Sequence, residues 1–256
     1  MFKVATFNML QYQSRAEQRL PLIVAGLIQE WPDLIALQEV SAEHATGIWL
    51  QQILNAVVAR SGCGAEYRYV QQRNRRNAEL SVGILARLPV HDQAWVDLQG
   101  QGRVALGITT EVAGIRFGFV STHLFWEPDP AGEQARLYQA GLLCDWVAQT
   151  FPNTFAIIGG DFNTTPGSPT YTFLTERWAS LFAEHRGAEP EWTAPTPLVP
   201  SPEGWRGTLD YLFKAPRTAP VRVVDARLFL HEPAPTDPSL YPSDHVGVLA
   251  ALELTR

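Results

Sequence analysis

Short apolar segments of this chain, which read as buried strands, repeatedly end in a polar or acidic side chain. Val4-Ala5-Thr6-Phe7 runs into Asn8, and Ile157-Ile158-Gly159-Gly160 runs into Asp161. A buried carboxylate is costly unless it is paired or bound to metal, so we expect these strand ends to converge on one site. The residues at such positions are Asn8, Glu39, His123, Asp161 with Asn163, and Asp210, and Asp244-His245 directly precedes the last predicted strand.

Helical and strand patterns are intermingled along the chain. Apolar residues recur at helical spacing from Leu20 to Ile28, and a short helix is predicted to begin at Ser168-Pro169, because Ser suits the N-cap and Pro the first helical position. No Gly-rich phosphate loop is present, which excludes the Rossmann and P-loop patterns. A second helix is predicted to bury Leu50, Ile53, Leu54, Val57 and Val58, and a third is predicted over about Glu133–Thr150. Further strands are predicted at 33–40, 67–70, 82–86, 104–112, 115–121, 208–214, 221–230 and 245–253.

Length and charge limit the number of domains and the classes of ligand to be expected. The 256 residues show no internal repeat and no linker, which predicts one catalytic domain over 1–256. Apolar residues make up 46% of the chain, and the formal net charge is −6. A protein that holds duplex nucleic acid by its phosphates usually shows a basic footprint. Tight duplex binding is therefore not expected, although nucleic acid stays open as a substrate.

The N-terminus and the cysteines bear on the compartment. Met1 to Phe7 enters a strand pattern at once and shows no leader, so no signal peptide is expected. No apolar run reaches membrane-spanning length. Cys63 and Cys144 have no partner at a spacing typical of zinc or a redox pair, and Cys144 is expected to be buried. We therefore expect a cytoplasmic monomer.

The residue types at the strand ends favour hydrolysis assisted by a hard cation. Oxygen donors such as Glu39 and Asp161 suit Mg²⁺, with Mn²⁺ as the alternative, better than zinc. In extended chain Asp161 and Asn163 point to the same side. A His with an Asp beside it is the arrangement of a general base held in one tautomer.

Six motifs follow one another over nearly the whole chain, namely Thr6-Phe7-Asn8, Leu37-Gln38-Glu39-Val40, Ser121-Thr122-His123-Leu124, Gly160-Asp161-Phe162-Asn163, Leu209-Asp210-Tyr211 and Ser243-Asp244-His245. In this order they resemble the motifs of the endonuclease/exonuclease/phosphatase superfamily. The resemblance implies an α/β fold, a four-layer α/β/β/α sandwich of two mixed β-sheets flanked by helices. It also implies a Mg²⁺-dependent phosphoester hydrolase, and in particular a phosphodiester hydrolase.

The same resemblance implies a role for each residue. Glu39 is then the principal metal ligand, with Asn8 beside it and Asp244 in support. His245 is the general base that activates water, and Asp210 orients it. Asp161 positions the nucleophile or a metal-bound water, while Asn163 and His123 hold phosphoryl oxygens.

The branch and the substrate stay open. The run from Gly160 to Tyr171 resembles the nocturnin and deadenylase branch, whereas Met9 after Asn8 and the His at position 123 depart from the abasic-site endonucleases. Deoxyribonuclease-like and sphingomyelinase branches share that His. In the deoxyribonucleases a Glu supports this His, and Glu79 is the candidate for that role here. The better interpretation of Glu79 is an exposed residue that precedes a strand. Nucleic acid, nucleotide, phospholipid and small phosphodiester substrates are all compatible.

Competing interpretations concern other classes of protein and other residues. A binding module with a retired site would have lost Glu39, Asp161 or His245, and all three are present. The motifs of the dinuclear metallophosphoesterases are absent. Arg73, Arg75 and Arg76 are expected to form a solvated loop, with phosphate contact as the alternative, and ordinary loop packing is expected of Trp126, Trp192 and Trp205.

Overall fold

Two mixed six-stranded sheets form the centre of the protein. The structure is a computed structural model, and it describes residues 1–62, 64–201 and 203–255. The first sheet has the strand order β11 (Val221–Phe229), β12 (Gly247–Leu254), β1 (Phe2–Asn8), β2 (Leu34–Val40), β4 (Ser81–Ala86) and β3 (Arg68–Gln72). The second has the order β5 (Asp92–Asp97), β6 (Val104–Val112), β7 (Ile115–His123), β8 (Ala156–Asp161), β10 (Asp210–Ala215) and β9 (Ala179–Ser180).

The strand pairs β1–β2 and β7–β8 are parallel, and the other paired strands run antiparallel. Each parallel pair is joined through a helix, as a parallel connection requires. The helices are α1 (Ala16–Glu30), α2 (Thr46–Ser61), α3 (Pro130–Thr150), α4 (Pro169–Arg177) and α5 (Leu181–Arg186), and a short 3₁₀ turn covers Ala78–Leu80.

Apolar side chains separate the molecule into four layers. One core cluster, which includes Ile23 and Leu27 of α1, lies between the first sheet and helices α1 and α2. A second lies between the other sheet and α3 and α4, with Leu143 and Phe213 among its members. The largest fills the space between the two sheets. The predicted four-layer α/β/β/α sandwich is therefore confirmed.

The space between the sheets changes from apolar to polar towards one end, because strand side chains alternate between faces. On β1, Val4 belongs to the inter-sheet core. Asn8 is four residues further along the strand and therefore lies on the same face. On β8, Ile157 is in that core, and Asp161 ends the same row. A Cβ on Gly159 would lie 2.9 Å from the Cβ of Ala36, so glycine permits the sheets to approach closely beneath the polar end.

Most predicted elements lie where the pattern indicated. Ser168 caps α4, since its Oγ accepts from the backbone N of Tyr171 at 3.1 Å. On α2, however, Ile53 is 36% exposed, whereas Leu50, Leu54 and Val58 are buried, so the predicted apolar face was too wide.

Two strands and one helix of the structure were not predicted from the sequence, namely β5, β9 and α5. Cys144, on α3, is half-buried and packs against the second core cluster, and Cys63 lies outside the described residues. No helix in the described chain is long and apolar enough to cross a membrane. The single domain, the monomeric state and the cytoplasmic location stay predictions.

Candidate active site

Three neighbouring strand ends of the second sheet bring the predicted catalytic residues into one row. His123 at the end of β7 pairs in register with Asp161 at the end of β8, and Asp161 pairs with Asp210 at the start of β10. All three side chains are almost completely buried. The convergence expected from the sequence is therefore present.

His245 and Asp210 form a direct hydrogen bond. His245 Nδ1 lies 2.8 Å from Asp210 Oδ2, and Thr193 Oγ1 donates to the same carboxylate oxygen at 2.7 Å. Thr193 Oγ1 also accepts from the backbone N of Leu209 and of Asp210. Oδ2 of Asp210 is thus held by two groups, whereas Oδ1 has no hydrogen-bond partner among the described residues. The second nitrogen of His245, Nε2, lies 3.8 Å from Asp161 Oδ2.

Charge rather than burial decides the state of His245. Burial alone would lower the pKa of the imidazole, but the carboxylates of Asp210, Asp244 and Asp161 outweigh it and raise the pKa well above its usual value. An imidazole in these surroundings is a strong proton acceptor.

Glu39 occupies a strained backbone position at the end of β2. Its φ is 50°, in the left-handed region that costs a non-glycine residue about 1 kcal/mol or more and recurs at functional sites. The pairing of β2 with β4 shifts register between Leu37 and Val40 at this point. The bulge turns the Glu39 carboxylate to where Gln11 Nε2 donates to it at 2.8 Å and Asn8 Nδ2 at 3.2 Å.

Burial also perturbs both carboxylates of the site. It raises the pKa of Glu39, and the neighbouring charge of Asp244 raises it further. Burial raises the pKa of Asp161 to about 7, although His245 opposes the change. Asn8 bridges the pair, since its Nδ2 also donates to Asp161 Oδ2 at 3.0 Å. Two carboxylates held together in this way are the surroundings in which a cation is stabilised.

His123 and Asn163 flank Asp161. His123 Nε2 is 3.4 Å from Asp161 Oδ2, while its Nδ1 has no hydrogen-bond partner among the described residues. Burial, with help from Arg103, lowers the pKa of His123 well below its usual value, which favours the neutral ring. Asn163 donates its backbone N to Asp161 Oδ1 at 2.9 Å and its Nδ2 to the carbonyl of Leu124 at 3.1 Å.

Arg19 holds the two loops of the site together. Its guanidinium is buried and donates to the carbonyls of Met9 at 2.8 Å and Pro242 at 2.9 Å, with further bonds to the loop at 10–14. Met9 follows Asn8, and Pro242 lies just before Asp244. Arg19 therefore couples the position of the predicted metal ligands to that of His245.

Sequence reasoning overlooked four residues of the site, namely Gln11, Arg19, Thr193 and Arg103. Gln11, Arg19 and Thr193 lie in loops or on a helix and carry no motif. Arg103 carried a usable signal, because a charged residue directly precedes the apolar strand β6, just as Asp244 precedes the last one. We considered the charged residue that precedes the last strand, but not the one that precedes β6.

Glu79 does not support His123. Its carboxylate accepts from Ser41 Oγ at 2.5 Å and from the backbone N of Tyr12 at 3.2 Å, with His44 Nδ1 at 3.3 Å. The deoxyribonuclease-type pairing is therefore absent. Glu79 is not the exposed residue expected either, since only 17% of its side chain is exposed.

Two tryptophans beside the site are more exposed than ordinary loop packing predicts. Trp126 is 58% and Trp205 49% exposed, and both line a cavity of about 720 Å³ that also reaches Asn163. Trp192 packs under the guanidinium of Arg206. The side chains of the Arg73–Arg76 loop are exposed except that of Asn74, and Arg75 pairs with Asp97, which fits a solvated loop.

Comparison with known proteins adds to this geometry. The profile of the Endonuclease/Exonuclease/phosphatase family matches residues 5–245. Carbon catabolite repressor protein 4 homolog 4 of Arabidopsis thaliana is 30% identical over 170 residues, which are 53% of this chain and 37% of that protein. The chain thus matches less than half of that relative's length.

Solved structures share the fold over almost the whole chain. An endonuclease/exonuclease/phosphatase from Bacteroides vulgatus has a TM-score of 0.75 at 21% identity, covering 99% of this chain and 98% of its own. The TDP2 of D. rerio, complexed with a single strand DNA product, has a TM-score of 0.81 at 17% identity, covering 98% of each chain. At these identities the likeness is one of fold.

Proposed function

Because the chain belongs to the endonuclease/exonuclease/phosphatase family and is therefore a phosphoester hydrolase, we propose that it cleaves phosphodiesters with water activated by His245 and Asp210. The observation that carries the proposal is the 2.8 Å contact between His245 Nδ1 and Asp210 Oδ2, at the strand ends that also hold Asp161. In this arrangement Asp210 accepts from Nδ1 and leaves Nε2 free to take a proton from water.

A divalent cation fits the donor set around Glu39. Burial, and after it the neighbouring charge of Asp244, raises the pKa of Glu39, and a hard cation would stabilise the charged carboxylates. We assign the cation to Glu39 and Asp244 with the amide oxygen of Asn8, which here accepts from the backbone N of Leu10. Mg²⁺ is the expected ion, with Mn²⁺ as the alternative; when bound, it neutralises charge on the phosphoryl oxygens.

A second set of donors lies close by. Asp161, Asp210 and His245 offer ligand atoms within 4.8 Å of one another. The direct His245–Asp210 hydrogen bond favours proton transfer over metal binding for this trio. A cation on the Glu39 side would also repel the imidazolium of His245, which favours the neutral ring that a general base needs.

The remaining residues handle the phosphoryl group. His123 is neutral and has an unused Nδ1, and it lies beside Asp161, where the phosphorus would sit between attacking water and leaving group. Asn163 and His123 are therefore assigned to phosphoryl oxygens, and Asp161 to positioning the water. Such positioning and charge neutralisation supply most of the catalysis in phosphoryl transfer.

The cavity beside the site favours a substrate that carries a nucleobase. Trp126 and Trp205 present exposed rings in the cavity that reaches Asn163, and aromatic rings stack bases without regard to sequence. The net charge of −6 offers no broad basic surface for a duplex. A nucleotide or a single-stranded nucleic acid is therefore the proposed substrate class.

A substrate panel tests the proposal. The purified protein with Mg²⁺ is offered a single-stranded oligonucleotide, a nucleotide diester, a base-free diester, a phosphomonoester and sphingomyelin vesicles, and product release is followed. The base-bearing diesters are expected to show the highest kcat/KM. A preference for the vesicles, or equal rates with and without a base, would contradict the substrate class, and hydrolysis of none of these compounds would contradict the function.

Tryptophan variants sharpen the same experiment. Stacking is worth about 1–3 kcal/mol per base, so Trp205→Ala and Trp126→Ala are expected to raise KM for base-bearing diesters and leave the base-free diester unchanged. Trp95→Ala is the matched control, because Trp95 is 46% exposed but lies on β5, outside the cavity.

A further inference from the structure

Arg103 carries a buried guanidinium that is not fully hydrogen-bonded within the described residues. Only 3% of the residue is exposed, and its Nε and Nη1 atoms have no hydrogen-bond acceptor among the described residues. Arg19 and Arg136, which are also buried, instead donate to several carbonyls. Leaving buried donors without hydrogen-bond acceptors is costly, so we expect an anionic group of a ligand to complete the surroundings of Arg103.

The position of Arg103 relates it to the row of strand ends. Ala105 pairs with Thr122 across β6 and β7, so Arg103, two residues earlier, stands next to the end of β7 that carries His123. Its charge also acts on the centre of the site. Burial lowers the pKa of the guanidinium, while the charge of Asp161 opposes the change.

The general base lies at the other end of this row. Arg103, His123, Asp161 and Asp210 belong to four consecutive strands of the second sheet, β6, β7, β8 and β10. Adjacent strands are ~4.8 Å apart, which places three such steps between the strands of Arg103 and Asp210. His245 is bonded to Asp210 and therefore stands opposite to Arg103, with His123 and Asp161 between them.

We propose that Arg103 stabilises the negative charge that develops on the leaving-group oxygen of the phosphodiester. Attacking and leaving oxygens lie roughly in line on opposite sides of phosphorus. If the water is at His245 and the phosphorus beside Asp161 and His123, the leaving oxygen faces Arg103. This inference rests on the proposed function and adds a catalytic residue to it.

The step balances with groups already described. Water forms a new P–O bond and passes its proton to Nε2 of His245. The ester P–O bond on the opposite side breaks, and its electron pair stays on the leaving oxygen. The guanidinium of Arg103 donates hydrogen bonds to that oxyanion, which then takes a proton from solvent. A charged donor of this kind is stronger than a neutral one.

A series of aryl esters tests the proposal. Thymidine monophosphate esters of para-nitrophenol, para-chlorophenol, phenol and para-methoxyphenol are hydrolysed by the wild type and by Arg103→Met. In the variant we expect kcat for the methoxyphenyl ester to fall by about 10²–10³-fold, as for removal of one donor from a developing oxyanion. The loss is expected to be clearly smaller for the nitrophenyl ester, because its ring already delocalises the charge.

The readout is therefore the slope of log kcat against the pKa of the phenol. If Arg103 had only a structural role, its replacement would not change this slope. Arg103→Lys keeps the charge but loses the planar fork, so its slope should lie between those of the wild type and Arg103→Met. Arg73→Met is the matched control. Arg73 is exposed in the neighbouring loop, and its replacement is expected to leave the slope unchanged.

Each other result overturns the inference in a recognisable way. An equal loss across the series would mean that Arg103 acts on oxygens that stay on phosphorus, and no loss would mean that it does not touch the reacting group. A slope change as large in Arg73→Met would assign the effect to general positive charge. If the wild type hydrolyses none of the esters, the proposed function fails instead.

Discussion

Replacement of His245 and Asp210, singly and together, separates a catalytic pair from two independent residues. His245→Ala removes the proton acceptor, and general-base catalysis typically contributes ~10²–10⁴-fold. Since each tenfold change corresponds to about 1.4 kcal/mol, the barrier should rise by about 3–5.5 kcal/mol. Asp210→Asn should also be severe, because the carboxylate oxygen that faces both His245 Nδ1 and Thr193 Oγ1 loses its charge.

The double variant is the decisive one. The two residues share one hydrogen bond in a buried site, and Asp210 acts through His245. Once His245 has been replaced, the loss of Asp210 should therefore affect turnover little further, and the double variant should be little slower than His245→Ala. kcat is measured on the best substrate of the panel, with Mg²⁺ affinity as the check that the metal site persists. His231→Ala, at a half-exposed histidine away from the site, serves as control. Near-normal turnover of His245→Ala, or losses that multiply, would refute the pair.

Three further predictions concern positioning, packing and binding. Thr193→Val should lower kcat by about tenfold, because it removes one hydrogen bond to the buried Asp210 charge, and steady-state kinetics would show it; unchanged kcat contradicts the role. Phe213→Ala, in the core with four other aromatic rings against it, should lower the free energy of unfolding by about 3–5 kcal/mol in urea titrations, and a loss near zero would contradict the packing. Duplex DNA affinity should depend weakly on salt, whereas a steep slope typical of about six phosphate contacts would indicate a duplex nuclease.

The strand ends were predictable because their signal is local. Asn8, His123 and Asp161 each follow an apolar segment directly in sequence, and strand alternation alone places them on the inter-sheet face. The ordered motifs then indicated which ends meet. Glu39 followed the same rule, but its left-handed backbone, which turns the carboxylate into the site, has no signature in the sequence.

The missed elements share a different cause. β5 reads Asp92 to Asp97, with charged ends and an exposed Trp95, so it lacks the apolar run that marks a buried strand. It exists because it pairs with β6 at the edge of the sheet. The short helix α5 depends in the same way on its packing against β10 and β11. Tertiary contacts, rather than local propensity, determine these elements.

The supporting residues of the site could not be found by pattern for a related reason. Thr193 contacts Asp210 and Arg19 contacts Pro242 only once separate segments of the chain have come together. Their chemistry, a hydroxyl and a guanidinium that satisfy buried acceptors, is ordinary at many positions of a protein. The sequence indicates the candidate catalytic residues, whereas the contacts that hold them depend on the tertiary fold.

Metal dependence tests the central claim most directly. Hydrolysis of the best diester is measured for the wild type and for Glu39→Gln, first with EDTA and then with added Mg²⁺, Mn²⁺ or Zn²⁺, and Glu43→Gln at an exposed position is the matched control. EDTA should abolish activity in the wild type and the control, Mg²⁺ or Mn²⁺ should restore it, and Glu39→Gln should stay inactive or require far more metal. Full activity in EDTA, rescue by Zn²⁺ alone, or a Glu39→Gln variant that responds to Mg²⁺ like the wild type would contradict the account.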